Sequence, residues 1–121
     1  MTMQIVRVLN ATKGTVLGES VVVADTSLTR MKGLLGRTGL EAGGGMLIFP
    51  SQAVHTIAMR FPIDVIFVDR KDRVVHVQPK LVPYRVTGVH WKAQWVLELP
   101  AGVIAESSTA VGDELLIEDQ A

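Results

Sequence analysis

Apolar residues along this chain fall in short runs, and the spacing inside those runs changes along the chain. Residues 4–9 alternate loosely between apolar and polar, the period of a strand, and 16–24 read as a longer strand, with turn residues at 10–14 between them. They predict a hairpin, with Gly18 marking a bulge. The period then lengthens. Leu28, Met31, Leu34 and Leu35 recur at helical spacing, Asp25, Thr26 or Ser27 can cap the start, and Gly36 suits a left-handed close. These residues predict a short helix over 27–35. Gly33 inside it costs up to ~1 kcal/mol relative to Ala, which implies a close packing neighbour.

Beyond a loop at 40–45, strands are predicted at 46–49, 54–59, 63–69, 73–78, 95–99 and 114–118. The segments 63–69 and 73–78 form a hairpin around the polar turn 70–72. Both faces of 65–68 are apolar, so that strand is expected to be central and covered on both sides. Phe61–Pro62 interrupts the chain before it, and 79–92 reads as irregular. Gly43–Gly45 reads as a turn letting Met46 enter the sheet, because no Gly-Lys-Ser/Thr follows to make a phosphate loop. Composition strengthens this picture. There are 18 Val and 7 Ile against only six aromatic residues, and such stiff, β-branched side chains suit pleated surfaces. The expectation is one domain over 1–121, mainly β, an antiparallel β-sandwich or barrel with one short α-helix near 27–35.

Charge narrows the classes of partner. Twelve basic residues balance twelve acidic ones, which argues against a module driven by phosphate neutralisation, so no nucleic-acid partner is expected. Lys80, Arg85 and Lys92 lie near Tyr84 and Trp91, a mix that could stack on bases. With no net positive charge it reads instead as a solvated loop. No apolar run approaches the ~18 residues needed to span a bilayer, so no membrane role is expected. The start lacks a basic stretch followed by an apolar core, and the expected location is cytoplasmic. Without cysteine there is no disulfide, thiolate metal site or Cys nucleophile.

Four linked segments carry a resemblance. They are TRMKGLLGR (29–37), GGMLIF (44–49), HTIAMRFPIDVIFVD (55–69), and VLELPAG (96–102) followed by GDEL (112–115). In this order and spacing they resemble the DUF192 family of small, uncharacterised prokaryotic domains, over residues 23–117. The resemblance implies a mainly β fold with a short helix. It implies no activity. Many family members carry an export signal and an aromatic-rich WMKNT-like string, where this chain has 55–60 instead.

The polar residues inside these segments are the candidates for function. Arg60 and Asp64 flank Pro62. On a straight strand they would lie ~13 Å apart, so they meet only if the proline bends the chain. They then form an anion site, an Arg oriented by a carboxylate, or Asp64 is satisfied inside the domain instead. Thr56 and Arg60 share a face by alternation, with His55 at its edge. Arg37 and Glu98 could join this cluster, or Glu98 could be a structural ion-pair partner. The first reading is therefore a non-catalytic binding or accessory domain. It would use Thr56, Arg60, Asp64, Arg37, Glu98 and His55 to hold a small anionic or polar ligand, or a peptide, with no cofactor. The second is a small enzyme with Asp64 or Glu98 as base and His55 as acid, which requires convergence within hydrogen-bond reach. The third is a protein-interaction module with an exposed apolar patch around Trp91 and Trp95. No metal site is expected, since His55, His76 and His90 lack ligand spacing.

Overall fold

Ile63–Val68 is buried at all six positions, and the rest of the sheet is arranged to cover it. The computed structural model describes residues 4–24, 40–56 and 60–119. Seven strands are described: β1 (Ile5–Asn10), β2 (Thr15–Ala24), β3 (Gly44–Ile48), β4 (Ile63–Val68), β5 (Val74–Leu81), β6 (Trp95–Pro100) and β7 (Leu115–Asp119). They form one sheet in the order β5-β4-β6-β3-β2-β1-β7. All neighbouring pairs are antiparallel except β2 and β3, which run parallel. The predicted helix at 27–35 lies outside the described residues.

The sheet curls into a half-barrel. Its two edges meet at one end, where Val74 N–H donates to Asp113 O (2.9 Å) and Leu115 N–H to Asp72 O (2.8 Å). The inner surface collects Val6, Val8, Val21, Leu47, Ile66, Val68, Trp95, Leu97 and Leu99 into one core. The outer surface of the central strands carries a second core, with Met46, Ile48, Ile63, Val65, Phe67 and Val96. This is why β4 is apolar on both faces. The mainly β expectation holds, realised as one curled sheet with an apolar layer on each side.

Bulges shape the curl. Val6 pairs with Val21 but Val8 with Gly18, so β2 holds an extra residue there, at the glycine expected to mark it. The expected turn at Gly43–Gly45 is only half a turn, since Gly44 already begins β3. Gly45 is needed for a close approach: a Cβ there would stand 2.7 Å from the backbone O of Glu98 and 2.9 Å from Leu99.

One short helix, α1 (Val103–Ser107), follows β6. The sequence pattern did not predict it, because one turn is too short to show a period. A buried polar node ties it to the first hairpin. Asn10 Nδ2 donates to Thr109 Oγ1 (3.0 Å) and Asp113 Oδ2 (2.9 Å), and Lys13 Nζ donates to the same Asp113 oxygen (2.9 Å). Burial of Asp113 opposes its ionisation. The bonds from Asn10, Lys13 and Ala110 outweigh it and hold the carboxyl below its usual range.

Gly45→Ala should lower stability by ~1–3 kcal/mol, because backbone on the facing strand cannot step aside. Urea unfolding checks this, with Gly88→Ala, which meets nothing within 4 Å, as the control.

Candidate functional site

Asp64 is fully buried on β4. Its Oδ1 accepts the N–H of Lys80 (2.9 Å), and its Oδ2 accepts those of Gly102 (3.1 Å) and Ile104 (2.8 Å). The carboxyl thus caps α1 from another strand; Gly102, at the N-cap, has no side chain to do so. It also fixes Lys80, whose φ is 52°. Such left-handed backbone is strained for a residue with a side chain.

Thr56 does the same for the next segment. It too is fully buried. Its Oγ1 donates to Val82 O (2.7 Å) and accepts from Arg85 N–H (2.9 Å). Its backbone exchanges bonds with Arg85 O (2.8 Å) and Tyr84 N–H (3.0 Å). Tyr84 is the next left-handed residue, with φ 62°. Thr87 N–H to Val54 O (2.9 Å) and His90 N–H to Gln52 O (2.9 Å) continue the pairing. Residues 80–92 are mostly irregular and solvent-facing, as the sequence suggested, and are held against 52–56 as a ribbon.

Glu98 and Asp64 lie on neighbouring strands but face opposite ways. Val65 pairs with Glu98, and Asp64 pairs with Leu99. Alternation then puts Asp64 toward the inner core and Glu98 on the outer face with Val65. Burial pushes the Glu98 carboxyl up to about 7. His55 is exposed and sits across from Val86 in an isolated bridge. Arg60 is exposed, and no ion pair joins it to Asp64. Arg37 lies outside the described residues. The bend at Phe61–Pro62 is present, yet among the described residues it does not bring guanidinium and carboxylate together.

Two histidines do meet. His76 and His90 stack with ring centres 4.2 Å apart, and His90 also lies 4.3 Å from the ring of Phe67. Burial, then the neighbouring His76, lowers the pKa of His90. This stack pins the ribbon to the outer core. Among the described residues no group of three metal-ligating side chains converges.

The ribbon's outward side is apolar and basic. Val82, Tyr84, Val86, Val89 and Trp91 are all exposed, Trp91 by 79% and Tyr84 by 69%. Trp95 is not part of this patch: it is buried, with Nε1 donating to Asp72 Oδ1 (3.3 Å). Lys80, Arg85 and Lys92 are exposed and enter none of the ion pairs among the described residues. No acidic residue occurs from Val74 to Leu97. That gap was readable in the sequence, as was the alternation of Val82, Tyr84 and Val86, but near-zero net charge concealed both.

The family model DUF192, Uncharacterized ACR, matches residues 8–117. The chain belongs to the DUF192 family. The match begins 15 residues earlier than the sequence segments suggested, so the first hairpin is part of the DUF192 domain. A UPF0127 protein of Pyrococcus furiosus is 34% identical over 114 residues, 88% of this chain and 94% of that protein. A UPF0127 protein of Thermococcus sibiricus is 32% identical over 112 residues, 88% of this chain and 71% of that protein. A crystal structure of a protein of unknown function from Novosphingobium aromaticivorans shares the fold. Its TM-score is 0.80 at 28% identity, over 94% of this chain and 84% of that one.

Two substitutions separate the roles of the buried acids. Asp64→Ala strands three backbone N–H groups and should cost ~3 kcal/mol or more by urea melt. Glu98 behaves oppositely. Its raised pKa means the folded state holds the proton more tightly, so stability falls as pH rises from 4.5 to about 7. Glu98→Gln should remove that fall, gaining up to ~3 kcal/mol above pH 7 and little below pH 4.5. Denaturant melts across this range check it.

Proposed function

We propose that this DUF192 chain is a binding domain without covalent chemistry of its own, and that it meets an anionic partner through the ribbon 80–92. One observation carries the reading. Five exposed apolar side chains and three exposed cations share a single backbone-anchored segment that contains no acid. Exposed apolar patches backed by a fixed scaffold mark contact surfaces, and unspent cations favour negative partners.

The residues selected from the sequence take distinct parts. Thr56 spends its hydroxyl on the ribbon's backbone and Asp64 gives it one carboxyl oxygen, at Lys80, so both act as its supports. His55 adds a polar edge beside Val86. Arg60 stands exposed as a further cation. A general acid–base pair is disfavoured, since Asp64 and Glu98 serve opposite faces of the sheet.

Titration of isotope-labelled protein with polyglutamate at low ionic strength tests the reading. Amide shifts should concentrate in 80–92 and at His55, and salt should reverse them. Charge reversal at Lys80, Arg85 and Lys92 together should abolish them. Shifts confined to other regions, or none, would refute the proposal.

A further inference from the structure

The ribbon's side chains say more about the partner than its charge does. Tyr84 and Trp91 could stack on bases or pack on a peptide. Val82, Val86 and Val89, exposed by 44%, 68% and 49%, cannot stack on bases, and they gain on burial against apolar groups. Bilayer interfaces favour this mixture: Trp and Tyr at headgroup level, aliphatic side chains just below, and Lys and Arg against anionic lipid. Lys80, Arg85 and Lys92 flank and interrupt the apolar positions, the ribbon itself carries no acid, and where Asp69 lines a hollow beside Trp91 and Lys92 it does so together with Arg70 and Lys71.

The backbone is suited to shallow insertion. Its polar groups at Tyr84, Arg85, Thr87 and His90 are already bonded to 52–56, so they need not be stripped of water partners. The stack of His90 on His76 and Phe67 anchors the ribbon's far half to the outer core. No described helix is long and apolar enough to cross a membrane. The sequence-based exclusion of membranes rested on that same test, which is blind to a loop that docks from outside.

We infer that the partner of the ribbon is an anionic lipid surface, on which Val82, Tyr84, Val86, Val89 and Trp91 insert to interfacial depth while Lys80, Arg85 and Lys92 engage the headgroup phosphates. This rests on the binding reading above and narrows it to one class of partner.

Co-sedimentation of the full chain with vesicles tests it. Vesicles containing phosphatidylglycerol should bind the protein at least ~10-fold more tightly than pure phosphatidylcholine, and brominated lipid should quench the exposed Trp91. The double variant Val86→Ser, Trp91→Ser should lose at least ~10-fold in vesicle affinity. The charge-reversal variant at the three cations should lose the preference for anionic lipid. All these positions are exposed, so unchanged thermal melts will show that the variants fold. If polyglutamate shifts the ribbon but vesicles do not bind, the lipid assignment fails and the binding reading stands. If neither acts, both fail. Tighter binding to single-stranded nucleic acid or to an acidic peptide than to anionic vesicles would likewise overturn the lipid assignment.

Discussion

A carboxyl group set among isoleucines and valines must find hydrogen-bond donors inside the protein, because water cannot reach it. Asp64 finds three, at residues 16, 38 and 40 positions along the chain. Two of them open α1, and the third lies at the end of β5. One side chain on a fully buried interior strand thereby holds the helix against the inner core and sets where the ribbon begins. Its removal would leave donors without acceptors in three places at once, which is more costly than losing one contact. Thr56 extends this logic, so the strained residues Lys80 and Tyr84 are each held by a buried polar neighbour.

Register decides the rest of the chemistry. In a sheet, a shift of one residue moves a side chain to the other face. The pairing of Val65 with Glu98 therefore separates two acids that adjacent strands might have joined. Asp64 is consumed on the inner side. Glu98 is left on the outer side in an apolar setting that raises its pKa. The same outer face carries Phe67, onto which the histidine stack is built. The two cores of this DUF192 fold differ in what covers them: strands and α1 close the inner one, while the ribbon, through Leu81 and His90, helps cover the outer one.

That cover is also the most chemically distinctive surface. A loop over a core would ordinarily turn apolar side chains inward. Here the inward groups are few, chiefly Leu81 and His90, and the other large apolar ones point out. Hydrogen bonds to 52–56 hold it in that orientation, so the exposed residues do not depend on their own burial for position.

Read by itself, the sequence determined the mainly β character, an interior strand apolar on both faces, the first hairpin with its Gly18 bulge, and the family. These are local properties: period, composition and short motifs survive without knowledge of neighbours. It also marked Asp64 and Glu98 as acids inside apolar strands. What they bond to was decided only by tertiary structure. Asp64 takes donors from two other elements, Thr56 takes them from the ribbon, and face parity parts Asp64 from Glu98. Hydrogen-bond partners tens of residues apart are a consequence of strand register and curl, and no local pattern encodes those. The ribbon shows the same division: its missing acids were countable along the chain, but only the fold could turn its valines, tyrosine and tryptophan toward solvent.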